Sequence, residues 1–318
     1  MAETPDSLLA DGLLAAGVDV TAAAPHFRGD WSRYDVVHLN HLTNACVRAL
    51  LPSRGPSGRT KIVFTHHTSG WKPLKFRVVR NLIERRADSV VVFSDDERQR
   101  LGGRVPSDKI DIIPSGLAVE RFALTRRSGP TGDEPLELLY VGQLVEFKRL
   151  HLALELMRRL LRAGQSVRLR IVSHRETLRP ELAAEAARLG LSDRVEYLGT
   201  RTRDEIGQEM ARAHFLVLPS YREALSTVTS EAAVSGLPVL LFDVSGSLDQ
   251  VPHGWERPDV NDTERYFDLA LERTRNYASV ERLWAQNAAT VRAHLSVDRM
   301  VQQHIDLYDR LTMKPTGV

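Results

Sequence analysis

Short apolar runs rich in β-branched residues alternate with longer amphipathic stretches along the chain. The alternation restarts after one polar segment with Gly and Pro, at 126–135. Parallel strands need a crossover connection, usually a helix, so this pattern predicts parallel sheets covered by helices. A length of 318 residues is enough for two such domains. The sequence therefore predicts an α/β protein with two doubly wound, Rossmann-like domains.

Ten strands are predicted, five on each side of the polar segment. They cover 18–22, 35–39, 61–65, 89–93, 110–114, 136–142, 167–173, 194–199, 214–220 and 237–243. Helices are predicted between them, including 148–163 and 180–189. We expect an N-terminal domain over 1–126, a C-terminal domain over 127–296, and a last helix within 297–318 that crosses back to the first domain.

Composition narrows the class of protein. Cys46 is the only cysteine, which excludes internal disulfides and cysteine-based metal sites. The formal net charge is +2, without the basic signature of a nucleic-acid partner. The first residues lack the basic region of a signal peptide, and no apolar run reaches a membrane-spanning length. We therefore expect a cytoplasmic protein.

Two glutamates flank a strand-to-helix junction in the stretch 219–246. Glu223 follows the buried run 214–220, at the carboxyl end where doubly wound sheets bind ligands. A helix that begins near Ser226 or Thr227 offers unpaired N–H groups to a phosphate, and Glu231 lies about one turn further along. This series matches the sugar, diphosphate and ribose of a nucleotide sugar. Spacing alone favours the simpler interpretation, a solvated loop Glu and a helix-surface Glu.

The stretch "EAAVSGLPVLLFD" starts at Glu231, so the chain reads E, seven residues, E-A, then G-x-P-V. This pattern resembles the core motif of family 4 retaining glycosyltransferases of the GT-B fold. The stretches "LLYVGQLVEFKRL", "VVFSDDERQRL", "DKIDIIPSGLAVERF" and "FTHHTS" are similar to other motifs of that family. The resemblance covers about 7–312 and implies two Rossmann-like domains that face a cleft. The domain over 1–126 would bind the acceptor, and the domain over 127–296 would bind the nucleotide sugar.

The resemblance also implies roles for individual residues. Glu223 would hold hydroxyls of the donor hexose, Glu231 would bind the ribose, and Lys148 would neutralise the departing diphosphate. His67 would approach the transferred sugar from the first domain, while two plain loop histidines are the alternative for His66 and His67. The expected catalytic residues are His67, Lys148 and Glu223. The expected donor-binding residues are Gln143, Lys148, Arg149, Glu223, Ala224, Leu225, Ser226, Thr227 and Glu231.

The chain departs from the family pattern at several positions. Gln143 stands where the family usually has Arg, and a neutral amide supplies no charge; Arg149 is a candidate to compensate. Ala118 replaces a common Asp, and 171–176 lacks the usual Gly-rich turn. Ala224 and Ser226 stand where glycines are common.

The first domain departs most from the family. The first strand and its Gly-rich loop are absent before the helix-like stretch 7–17, so we expect a shortened first domain. That strand is central in a doubly wound sheet, so either the sequence begins late or the first domain has rearranged around the gap.

The mechanism implied by the family needs no protein nucleophile, cofactor or metal. The acceptor hydroxyl attacks the face from which the diphosphate leaves, and a leaving phosphate oxygen takes the proton. Asp95, Asp96 and Glu97 form an acidic cluster, which we interpret as the first turn of a helix capped by Ser94.

A basic amphipathic stretch at 71–86 has two interpretations. It docks peripherally on an anionic membrane or holds an anionic acceptor. Alternatively, its apolar stripe packs on the sheet and its basic face is solvated, which the sequence favours. The acceptor class stays open between a small molecule, a glycan and a lipid-linked sugar.

Three functions follow from these observations. The first is a metal-independent, retaining hexosyltransferase that uses a nucleotide sugar of UDP, GDP, dTDP or ADP type. The second is a catalytically impaired GT-B binding or partner protein, which Gln143 and the absent strand favour. The third is a sugar-nucleotide epimerase, which the motif order disfavours.

Overall fold

A computed structural model describes residues 4–23, 30–50, 59–66, 74–125, 127–132, 134–223, 226–244 and 250–313. The chain divides into two compact units. The first unit comprises Met1–Leu117 and Leu295–Val318, and the second comprises Ala118–His294. The second unit is therefore one continuous segment of the chain, whereas the first is built from both ends.

The sheet of the first unit has four parallel strands in the order β1-β2-β3-β4. The strands are β1 (Val36–Leu39), β2 (Lys61–Thr65), β3 (Ser89–Val92) and β4 (Ile110–Ile112). Alternate residues of β2 enter different core clusters, with Ile62 and Phe64 in one and Val63 in the other. Both faces of the sheet are thus buried, which explains why its strands are apolar without interruption.

Helices cover both faces of this sheet. They are α1 (Pro5–Ala15), α2 (Asn44–Ala49), α3 (Leu74–Arg86), α4 (Asp95–Leu101) and α11 (Val297–Thr312). Met300 and Val301 of α11 share a buried cluster with Leu9 and Leu13 of α1. A Cβ atom on Gly12 would collide with the Val301 side chain, so this glycine permits the close approach of the two helices. The last helix belongs to the first unit.

The predicted strand at 18–22 is wrong: residues 18–23 form no strand. Val18 and Val20 are instead partly buried against the cluster that contains α1 and α11. A strand needs a neighbour to pair its N–H and C=O groups, and in the described residues no strand precedes Val36. The four described strands are consecutive neighbours, so the described sheet has no gap between them.

The sheet of the second unit has five parallel strands in the order β7-β6-β5-β8-β9. The strands are β5 (Leu136–Val141), β6 (Val167–Val172), β7 (Val195–Gly199), β8 (Phe215–Leu218) and β9 (Val239–Leu241). The chain leaves β5 in one direction through β6 and β7, and then returns to the other side of β5 as β8 and β9. The strand order therefore reverses at β5, where such sheets bind ligands.

Six helices of the second unit connect these strands or follow them. They are α5 (His151–Arg162), α6 (Arg179–Arg188), α7 (Arg203–Arg212), α8 (Thr227–Val234), α9 (Thr263–Arg275) and α10 (Tyr277–His294). The helix predicted from 148 begins later because Glu146–Lys148 forms a 3-10 turn and Arg149 has a left-handed backbone, with φ 48°. None of the described helices combines the length and apolar character needed to cross a bilayer.

Candidate active site

The loops after β6, β5 and β8 lie side by side at the carboxyl edge of the second sheet, because these strands are neighbours. His174 follows β6, Gln143 follows β5, and Glu223 follows β8. The predicted residues Gln143 and Glu223 thus follow adjacent strands around the point where the strand order reverses, and His174 follows a third.

Tyr140 stabilises the turn after β5 through a hydrogen bond. Its hydroxyl donates to the backbone oxygen of Gln143 at 2.7 Å. A Cβ on Gly142 would lie 3.0 Å from that hydroxyl, so a side chain here would force the Tyr140 ring to shift by a few tenths of an ångström. Burial, together with the nearby charge of Glu223, raises the pKa of Tyr140. The phenol therefore stays a donor, and it links the Gln143 turn to the surroundings of Glu223.

Lys148 and Glu223 form the central ion pair of the site. The Lys148 Nζ donates to Glu223 Oε1 at 2.6 Å, and the two side chains are only 13% and 9% exposed. The N–H of Tyr221 donates to the Phe147 carbonyl at 2.8 Å, which holds the two loops together. The structure thus brings together two of the three residues predicted to be catalytic. Their roles stay predictions.

Arg149, the neighbour of Lys148, points to a different environment. Its guanidinium donates to the carbonyls of Pro219 at 2.9 Å and Val260 at 2.7 Å. It also lies over the rings of Phe242 and Tyr221, at 4.3 and 5.5 Å from their centroids. Burial lowers the pKa of Arg149. These contacts tie loops of the second unit together, and the predicted donor-binding role has no support from them.

Helix α8 begins as the sequence predicts, directly after Ser226. The Ser226 hydroxyl caps the helix by accepting from the N–H of Thr229 at 3.3 Å. Small residues follow, with Ala232 and Ala233 fully buried, so the helix lies close to its neighbours. Gly236 ends the segment with φ 70°, in the left-handed region that favours glycine. The predicted phosphate-facing residue Thr227 is the first residue of α8.

Glu231 is buried in α8, with 2% of its surface exposed. It forms an ion pair with Arg203, the first residue of α7. Arg203 was not predicted, although its position carries a signal, because the first turn of a helix favours acidic over basic side chains. The interpretation of Glu231 as a solvated surface residue is wrong.

His174 is the second site residue that the sequence did not indicate. Its exposed ring lies beside Gln143, with 3.3 Å between the two Nε2 atoms. The sequence could have indicated His174, because it closely follows a buried strand, at the edge where doubly wound sheets bind ligands.

Three predicted residues, His67, Ala224 and Leu225, lie outside the described residues, and their roles stay predictions. The preceding His66 is 3% exposed, and its Nδ1 lies 2.7 Å from Glu84 Oε1. His66 is therefore a buried, paired histidine rather than a plain loop residue.

The acidic cluster after β3 has the predicted capping role. The Ser94 hydroxyl accepts from the N–H of Glu97 at 3.3 Å, and the Glu97 carboxylate accepts from the N–H of Phe93 at 2.8 Å. Asp95 and Asp96 lie in the first turn of α4. Across the described part of the chain, no three His, Cys, Asp or Glu side chains are grouped to share a metal ion.

Two parallel, Rossmann-like sheets and a carboxylate–lysine pair at the reversal of strand order define a GT-B type of α/β protein. Residues 122–280 match the family described as glycosyl transferases group 1, and residues 28–121 match glycosyltransferase family 4. The chain therefore belongs to the group 1 glycosyltransferases of the GT-B fold.

Known proteins support this assignment. The D-inositol 3-phosphate glycosyltransferase of Nocardia farcinica is 29% identical over 249 residues, which are 70% of this chain and 54% of that protein. Sucrose-phosphate synthase from Thermosynechococcus elongatus has a TM-score of 0.72 at 20% identity, over 88% of this chain and 74% of that one. Anabaena Alr3699/HepE in complex with UDP-glucose has a TM-score of 0.67 at 19% identity, over 95% of this chain and 82% of that one. The chain spans about half the length of the curated relatives it matches.

Proposed function

We propose that this chain is a retaining glycosyltransferase that moves a hexose from a nucleotide sugar to an acceptor hydroxyl without a metal ion. The observation that carries the proposal is the Lys148–Glu223 pair, 2.6 Å apart at the carboxyl edge where the strand order reverses. One carboxylate and one cation at this edge suit a sugar and a phosphate that are bonded to each other.

Glu223 accepts hydrogen bonds from the hydroxyls of the donor hexose, and the adjacent Lys148 faces the phosphates. An ammonium group has three donors, so the bond to Glu223 leaves two for phosphate oxygens. Positive charge at this point stabilises the diphosphate as it departs, more in the transition state than in the ground state. A lysine and the N-terminus of α8 supply the charge that a metal would otherwise bring.

Glu231 receives the ribose hydroxyls. A carboxylate offers about four lone-pair sites, so the ion pair with Arg203 does not exhaust its capacity. In the transfer step the acceptor oxygen bonds to the anomeric carbon on the face that the diphosphate leaves. The bond from that carbon to the phosphate oxygen breaks, and this oxygen takes the acceptor's proton, so the sugar keeps its anomeric configuration.

The test is a donor and acceptor panel with release of nucleoside diphosphate as the readout. UDP-, GDP-, dTDP- and ADP-glucose are each combined with D-inositol 3-phosphate, a free hexose and a lipid-linked sugar, in EDTA and in Mg²⁺. We expect release with at least one pair, undiminished in EDTA, and a product whose NMR couplings show the donor's anomeric configuration. An inverted product or strict dependence on Mg²⁺ would contradict the mechanism.

A catalytically impaired binding protein is the second candidate, favoured by the neutral Gln143 beside the phosphate site. It predicts calorimetric binding of a nucleotide sugar with no diphosphate release for any acceptor in the panel. An epimerase would instead convert the nucleotide sugar into its isomer with no acceptor present, which NMR of the same mixtures detects.

We also propose that the protein acts in the cytoplasm and contacts membranes peripherally through α3, within the stretch 71–86. Ile83 of α3 is fully buried, whereas Val78 and Leu82 are 50% and 48% exposed. The neighbouring Arg77, Arg85 and Arg86 are also exposed. An apolar pair flanked by arginines suits the interface of an anionic bilayer.

Co-sedimentation with phosphatidylserine-containing vesicles tests the membrane contact. The double variant Val78→Ser/Leu82→Ser should lose vesicle binding, while Leu14→Ser, at a residue of α1 that is 52% exposed, should retain it. Equal binding of both variants, or equal binding to neutral vesicles, would contradict the proposal.

A further inference from the structure

The loops after β5 and β6 are joined into one rigid unit by backbone hydrogen bonds. The N–H of Gly142 donates to the Val172 carbonyl at 3.0 Å, and the N–H of Leu144 donates to the Arg175 carbonyl at 2.8 Å. The Leu144 carbonyl in turn accepts from the N–H of Leu178 at 3.1 Å. Side chains at the tips of these loops are therefore placed by the backbone and not by flexible contacts alone.

A serine turn presents His174 at the tip of the second loop. Ser173 is 3% exposed, and its hydroxyl donates to the Arg175 carbonyl at 2.9 Å. The same hydroxyl accepts from the N–H of Arg175 at 3.3 Å. This turn leaves His174 exposed, with its Nε2 3.3 Å from the Gln143 amide.

Three cations near this edge are engaged by other groups. Lys148 pairs with Glu223, Arg203 pairs with Glu231, and the Arg149 guanidinium donates to two backbone carbonyls. A diphosphate carries negative charge on both phosphates, and Gln143 is neutral. A further cation beside Gln143 would therefore favour diphosphate binding.

We propose that protonated His174 is a phosphate-contacting residue of the donor site, held in place by Gln143. This inference rests on the proposed function, because it assumes that a nucleotide sugar binds at this edge. An imidazolium ring beside Gln143 would add a cation where the diphosphate binds.

The Gln143 amide suits both forms of the imidazole. Its NH₂ donates to an unprotonated ring nitrogen, and its oxygen, after rotation of the amide, accepts from an imidazolium N–H. Other charged groups lie on the neighbouring elements. They are Arg175 and Glu176 in the same loop, Arg179 bonded to Glu176 at 2.7 Å, Arg201 after β7, and Lys148 with Glu223 across the edge.

Calorimetry of a nucleotide sugar as a function of pH tests the proposal. UDP-, GDP-, dTDP- and ADP-glucose serve as probes, because their phosphates are diesters with constant charge between pH 5.5 and 8. A bare nucleoside diphosphate is unsuitable, since its terminal phosphate titrates near pH 6, as phosphomonoesters do. We expect the wild type to bind its donor about five- to tenfold more tightly at pH 5.5 than at pH 8, because an imidazolium attracts the diphosphate and a neutral imidazole does not.

Variants separate His174 from other titrating groups. The affinity of His174→Gln for the nucleotide sugar should change less than twofold over the same pH range. His253→Gln, a matched exposed histidine, should keep the wild-type slope. His253 lies two residues before Trp255, whose indole donates to Val239 at the start of β9, away from the carboxyl edge. Gln143→Arg combined with His174→Gln should restore affinity with a flat pH profile.

The outcomes distinguish this inference from the function on which it rests. A wild-type pH slope that persists in His174→Gln overturns the role of His174 and leaves the proposed function standing. Failure of every nucleotide sugar to bind the wild type at any pH overturns the proposed function and this inference with it.

Discussion

Two carboxylate–cation pairs of the second unit, Lys148–Glu223 and Arg203–Glu231, differ in how they are built. Lys148 and Glu223 come from loops after the neighbouring strands β5 and β8, and both side chains keep some exposure. Glu231 lies within α8, is 2% exposed, and meets Arg203 at the first residue of α7. The first pair lies on loops at the carboxyl edge of the sheet, whereas the second is fixed by packed helices.

This difference indicates how the two pairs divide the proposed work. A lysine with an exposed edge can move its donors between a carboxylate and a phosphate, which suits charge that develops during reaction. A carboxylate fixed in a packed helix is pre-organised, which suits recognition of a constant group such as ribose. The loop pair, Lys148–Glu223, should therefore dominate turnover, and the helix pair, Glu231–Arg203, should dominate nucleotide affinity.

The largest effect is expected for Lys148→Ala. Loss of the cation beside the leaving group should raise the activation barrier by about 3–4 kcal/mol, the upper part of the range for one electrostatic contact. Steady-state kcat with the donor identified in the panel measures it. Lys61→Ala, which removes an ion pair with Asp88 in the first unit, is the matched control and should retain turnover.

The comparison fails if Lys148→Ala keeps nearly the wild-type kcat while Arg149→Ala folds but is inactive. The charge at the leaving group would then come from the neighbouring residue.

The next effect is expected for Glu231→Ala. Removing an acceptor for the ribose should weaken binding of the nucleoside diphosphate by about 1.5–3 kcal/mol, the range for a hydrogen bond to a charged group. Isothermal titration calorimetry measures this change, with Glu264→Ala as a control on the exposed start of α9. Unchanged affinity in Glu231→Ala would remove the ribose role from the helix pair.

Arg149→Ala should act on stability instead of on charge at the phosphates. The variant leaves the carbonyls of Pro219 and Val260 without their donor, and we expect unfolding free energy to fall by about 1–3 kcal/mol. Urea unfolding monitored by circular dichroism measures it, and kcat of the folded fraction should change little. A stable variant without activity would contradict this assignment.

The smallest effect is expected for Gln143→Arg. A permanent cation at position 143 should leave turnover unchanged or raise it, because it would add to the charge proposed for Lys148. Steady-state kcat at pH 8 is the suitable measurement. A large loss of turnover would mean that Gln143 makes a specific contact that an arginine cannot replace.

Much of the fold follows from the sequence because strand formation depends on local pattern. Nine of the ten predicted strands form, and their β-branched runs fit sheets buried on both faces. The exception at 18–22 shows the limit of a local pattern. A strand also needs a paired neighbour, and the sequence of a single segment does not show whether one is present.

The site was only partly predictable for a related reason. Lys148 and Glu223 meet because each follows one of two adjacent strands, and the sequence motifs indicate both positions. Arg203 and His174 reach the site through the packing of α7 and the Ser173 turn, which determine where those side chains point. Such directions depend on tertiary structure and not on spacing along the chain.

The division of work between the two carboxylates is tested most directly by calorimetry on Glu223→Ala and Glu231→Ala with two ligands each. The ligands are a bare nucleoside diphosphate and the matching nucleotide sugar. We predict that Glu223→Ala binds the bare nucleotide like the wild type but loses the added affinity of the sugar, whereas Glu231→Ala loses affinity for both. If both variants weaken the bare nucleotide equally, the assignment of Glu223 to the sugar and Glu231 to the ribose is contradicted.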